Sequence, residues 1–89
     1  MIEKKLEIIN KLGLHARAAA KLTGCTTRFS SDIKISKEGR QVDGKSIMSV
    51  MMLAASIGTE LVFSVDGEDE QDAMQAIETL VNNRFDEEE

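Results

Sequence analysis

The chain has 89 residues, 42% of them hydrophobic and 30% charged, enough for one small domain near the lower limit of what a single core supports. Its one cysteine, Cys25, excludes an internal disulfide and a cysteine-based metal site, and its net charge of −5 argues against a nucleic-acid binder, whose phosphate contacts need a basic face. No apolar run reaches membrane-spanning length and Met1–Lys5 lacks the apolar stretch of a signal peptide, so a cytoplasmic protein with no membrane insertion is expected.

Leu6 and Ile8 alternate with Lys5 and Glu7, which predicts a half-buried strand over Glu3–Asn10. Asn10-Lys11-Leu12-Gly13 is a turn, and the alanine-rich run that follows predicts a helix over Ala16–Thr26. Three-to-four spacing puts Ala19, Leu22, Thr23 and Thr26 on its buried face, with Cys25 as a small buried filler near its end. Ser30-Ser31-Asp32 is a turn cluster. Strands are predicted over Ile33–Lys37 and Arg40–Asp43, joined tightly at Glu38-Gly39.

Ser46 stands just before an apolar run and reads as the N-cap of a second helix, Ile47–Ala54. That helix is apolar on almost every side, and so short a segment in so small a domain must leave one face in water. Ile47, Met48 and Met51 are therefore expected to form an exposed docking patch, for which methionine is well suited because it repacks easily. A fourth strand follows over Glu60–Asp66, with Leu61, Phe63 and Val65 on one face. The third helix is predicted over Glu68–Asn83, with a stripe of Ala73, Met74, Ile77, Leu80 and Val81. Its opening acids Glu68-Asp69-Glu70 complement the helix dipole, and no second ligand cluster converges on them, so no metal is expected. Residues 86–89 read as a disordered tail. With no repeat or linker inside it, the chain is one domain, 1–89, and four amphipathic strands with three helices fit a two-layer α+β fold.

His15, the only histidine, lies after the Gly13 turn and where the first helix begins. The unpaired N–H groups and the positive dipole end of that helix form an anion cradle beside the imidazole. A neutral ring there is a nucleophile, and a phosphoryl group attached to it would meet the amides near Ala16, Arg17 and Ala18 and the Arg17 guanidinium. The plain structural alternative is a surface or packed histidine at a helix cap. Charge is unevenly spread along the chain: residues 1–45 hold ten Lys or Arg against five acids, whereas residues 46–89 hold Arg84 alone against eleven. Partners approaching His15 are expected to present acidic surfaces to the basic half.

Three segments carry a family likeness: Gly13-Leu14-His15-Ala16-Arg17-Ala18-Ala19-Ala20-Lys21-Leu22, Gly44-Lys45-Ser46-Ile47-Met48, and Asp66-Gly67-Glu68-Asp69-Glu70-Gln71-Asp72-Ala73. Together, at matching spacing, they resemble the HPr family, the histidine phosphocarriers of the bacterial phosphotransferase system. One departure is Ala18, where the family usually has proline. The resemblance implies an open-faced β-sandwich of order β-α-β-β-α-β-α, with a four-stranded antiparallel sheet in spatial order 1-4-2-3 and three helices on one face. It implies a carrier, not an enzyme with its own turnover, that takes a phosphoryl group from phosphorylated enzyme I on Nδ1 of His15 and hands it to IIA components. Arg17 would stabilise the group in transit. Ile47, Met48, Met51, Lys21 and Lys45 would dock partners, and no cofactor is implied. Ser46 would be a regulatory phosphorylation site for an HPr kinase/phosphorylase, and the chain a monomer. A nitrogen-branch regulatory carrier and a non-phosphorylated interaction module are the alternatives, the second weakened by the presence of His15.

Overall fold

Alternation of apolar and polar residues builds four strands: β1 (Ile2–Glu7), β2 (Asp32–Lys37), β3 (Arg40–Asp43) and β4 (Glu60–Asp66). A computed structural model describes residues 1–89 and joins these strands in one antiparallel sheet of order β1-β4-β2-β3. The registers bring the apolar sets onto one face: Leu6 opposite Leu61, Ile33 opposite Val65 and Ile35 opposite Phe63. That face is covered by α1 (Ala16–Thr26), α2 (Ile47–Met52) and α3 (Glu70–Asn82), and the other is open. The expected α+β architecture and strand order are those observed.

The core lies between the two layers. Leu6, Ile8, Ile33, Ile35, Leu61, Phe63 and Val65 of the sheet side meet Ala18, Ala19 and Leu22 of α1, Val50 of α2, and Ala73, Met74, Ile77 and Val81 of α3. Cys25 is buried among them as expected, whereas Thr23 is only half-buried. Its place on the buried face is taken by Ala18.

Element ends differ from the sequence reading for local reasons. The first strand stops at Glu7, short of Asn10. Beyond it, Ile8 exchanges backbone bonds with the Gly58-Thr59 loop and Asn10 turns inward, fully buried. The second helix stops at Met52, before Ala54, whose φ of 51° breaks the helical path. Its last carbonyls are received by the hairpin: Lys37 Nζ donates to Leu53 O at 3.0 Å and Arg40 Nη1 to Met52 O at 3.4 Å, cations where the helix dipole favours them. The third helix begins at Glu70 rather than Glu68, because Asp69 is engaged elsewhere.

The C-terminal residues lie against the body of the domain. Arg84–Asp86 form a short 3-10 turn with positive φ at all three residues, and Phe85 is only 1% exposed in the core. Anchored by that ring, residues 86–89 fold back over the start of α1. Opposite charges line the return: Asp86 Oδ2 accepts from Lys21 Nζ at 3.1 Å, and Glu89 Oε2 lies 3.8 Å from Lys11 Nζ.

Candidate functional site

The site is built from the turn between β1 and α1. Gly13 has φ of +70°, and a Cβ there would come within 2.5 Å of the Ala55 carbonyl oxygen, so both the left-handed backbone and the close approach require glycine. Leu14 N donates to that same carbonyl at 2.8 Å, bracing the turn against the loop after α2. The chain then enters α1 with His15 as N-cap residue, in extended conformation, and Ala19 N donates to His15 O at 2.8 Å.

The imidazole makes no capping bond to its own helix. The N–H groups of Ala16, Arg17 and Ala18 accordingly have no acceptor within the chain, and they carry the positive end of the dipole. The ring is half-buried, and its Nε2 lies 2.5 Å from Glu87 Oε2. Nδ1 has no protein partner. Glu87 Oε1 accepts from Asn10 Nδ2 at 3.0 Å, and the same amide donates to Gly13 O at 2.8 Å. Burial opposes the charge of Glu87, but hydrogen bonds from Asn10 and His15, with the charges of His15 and Arg17, hold its carboxyl below the ordinary glutamate range.

Arg17 is exposed and free of ion pairs, facing a cleft of about 520 Å³ that Lys11, Leu12, Lys21 and the tail also line. Lys21, expected among the docking cations, is paired with Asp86. Lys45 is likewise tied down, its Nζ donating to Phe29 O at 2.8 Å. Ser46 is the N-cap of α2 and accepts from Ser49 N at 3.3 Å. Behind it the apolar side chains are open to water: Met48 is 68% exposed, Met52 58%, Ile47 40% and Met51 39%. The structure thus packs α1 beside α2, with Thr26 Oγ1 donating to Gly44 O at 2.8 Å to tie the end of one to the turn before the other.

Two residues of this site do not stand out in the sequence. Asn10 sits in an ordinary turn cluster, and Glu87 is one acid among four at the C-terminus. The only signal for Glu87 is the opposite charge of the two chain halves, which can equally serve a partner.

Comparison with known proteins agrees with this geometry. A family model described as the PTS HPr component phosphorylation site matches residues 2–83. The chain is 58% identical over 85 residues to phosphocarrier protein HPr of Cupriavidus necator, covering 96% of each. It is 54% identical to phosphocarrier protein HPr of Xylella fastidiosa, covering 98% of each. Its structure resembles a crystal structure of HPr-C-His from Thermoanaerobacter tengcongensis with a TM-score of 0.96, at 42% identity and full coverage of both chains. A lone histidine at an uncapped helix start, on a β1-β4-β2-β3 sheet and with relatives of matching length, has one consistent assignment: the chain belongs to the HPr family, the phosphocarriers of the phosphotransferase system.

Proposed function

We propose that His15 is the carrier atom's home: its Nδ1 takes a phosphoryl group from phosphorylated enzyme I and passes it to IIA components of sugar permeases. The supporting observation is the ring's place at the mouth of α1, half-buried, with Nδ1 unpartnered and three free amides immediately after it. Those amides of Ala16, Arg17 and Ala18 receive the phosphoryl oxygens, and the mobile guanidinium of Arg17 adds positive charge as the group crosses. Apart from the Glu87 carboxylate at Nε2, no ionisable side chain is bonded to the ring. A carrier fits that arrangement, because it must hold the group without holding it too tightly, and each partner supplies the rest of the chemistry.

Ile47, Met48 and Met51, exposed on α2 next to the start of α1, form the apolar half of the docking surface. Lys21 and Lys45 flank it, Lys21 once released from Asp86. Phosphorylation of Ser46 by a dedicated kinase would leave the helix dipole satisfied while placing about two negative charges at the edge of that surface. Acidic partners would then be repelled. The carrier works as a cytoplasmic monomer in this reading.

The test is incubation with phosphoenolpyruvate and enzyme I, followed by phosphorus NMR. An acid-labile phosphohistidine signal is expected, and His15→Ala abolishes it while the fold persists. Acid-labile phosphate on the His15→Ala chain would show that another residue is the acceptor.

A further inference from the structure

We propose that Glu87 is a positioning residue for transfer at His15: its carboxylate holds the Nε2–H of the ring, leaving the Nδ1 lone pair as the one available nucleophile. The proposal rests on the carrier reading above and assigns a role to the C-terminal segment, which that reading does not use.

A carboxylate is an acceptor only, and a neutral imidazole has one N–H to give. With Glu87 Oε2 at 2.5 Å from Nε2, a neutral ring keeps its one proton at Nε2, which leaves Nδ1 bare. The contact is secured from behind. Glu87 Oε1 is held at 3.0 Å by Asn10, a fully buried amide itself anchored on Gly13 O. Only 13% of the Glu87 side chain is exposed, so water competes little for the bond. The segment that delivers it is also constrained on both sides. Phe85 is locked in the core before it, and Lys11 N donates to Glu89 O at 2.5 Å after it. Three consecutive non-glycine residues, Arg84, Phe85 and Asp86, take positive φ to make this turn. Such backbone persists only where the surroundings over-determine it.

The same carboxylate serves the transfer itself. As Nδ1 attacks the phosphorus of a phosphorylated donor protein, the P–Nδ1 bond forms and the donor's bond to phosphorus breaks, its electron pair returning to the donor. The ring, still protonated at Nε2, becomes a phosphoimidazolium, and Glu87 neutralises that new charge in place. Because the proton stays at Nε2, the return step expels a neutral imidazole, a better leaving group than an anionic one.

The experiment compares wild type, Glu87→Ala and Glu87→Gln as full chains. Nitrogen-15 and proton NMR of the neutral ring reads the proton position, and phosphoryl uptake from enzyme I reads the rate. Wild type should show a slowly exchanging, downfield Nε2–H signal. Glu87→Ala should lose it and take up phosphoryl about tenfold more slowly, the scale of one hydrogen bond to a charged group. Glu87→Gln, whose amide oxygen still accepts the proton, should keep the signal and recover part of the rate. A Glu87→Ala chain with the wild-type signal, or with the wild-type rate, overturns the proposal while the carrier reading stands. A wild-type chain that takes up no phosphoryl group overturns the carrier reading, and this role with it.

Discussion

Asp69 shows how one carboxylate can hold two elements together. It occupies the N-cap position of α3 without capping it. Instead it accepts from Ser31 Oγ at 2.5 Å, Ser30 N at 2.9 Å and Ser31 N at 3.0 Å, fastening the turn before β2 to the start of α3. The Ser31 hydroxyl first, then the Ser30 and Ser31 amides, lower its carboxyl from the ordinary value of 3.8 to about 2. A group depressed in the folded state contributes stability above its unfolded pKa and loses it as pH falls through the folded one. That contribution is therefore complete above about pH 4 and lost on approach to about 2. Asp69→Asn should lower stability at neutral pH and flatten the loss between those limits, as read from denaturation midpoints measured across the acid range. An acid limb as steep as wild type would show that other carboxylates carry it.

At the scale of the element, the C-terminal turn and α2 make opposite demands on their apolar residues. Phe85 is sealed in the core and winds the chain back toward His15. Truncation to Phe85→Ala should cost about 3–5 kcal/mol, and hydrogen exchange at residues 86–89 should rise with it as the tail loses its anchor. On α2 only Val50 is buried. Met48→Glu should change stability by no more than about 0.5 kcal/mol while weakening partner binding in titration calorimetry. A large loss of stability would mean that the side chain packs in the core. Ser46→Asp keeps a residue fit for the N-cap and should slow phosphoryl uptake by repulsion alone. A rate equal to wild type would remove that argument.

The whole molecule is organised by its charge. The basic first half, the surface expected to attract acidic partners, already carries the chain's own acidic end, with Asp86 on Lys21 and Glu89 beside Lys11. A partner with an acidic surface would therefore compete with the tail for the same cations. Neutralising the outermost acids by the pair Glu88→Gln and Glu89→Gln leaves Glu87 on His15 and should raise the association rate with an acidic partner several-fold at low salt. Screening should erase the difference at high ionic strength. Stopped-flow measurement over a salt series checks this, and identical rates at low salt would mean the tail does not shield the basic face.

How much of this was legible without coordinates depends on the range of the interactions. Sheet composition, α1 and the place of His15 at its start follow from period, alanine content and a glycine turn, all local properties of the chain. The exposure of Ile47, Met48 and Met51 also follows, because a short helix apolar on every side cannot hide every face. The family likeness of the three segments added the strand order. Only the tertiary structure decided what touches the ring. Asn10 and Glu87 are 77 positions apart, and Glu87 and His15 are 72 apart. Their meeting depends on Phe85 finding a place in the core, which neither periodicity nor propensity encodes. A tail of consecutive acids reads as solvated until a packed aromatic and a basic helix start give it somewhere to bind.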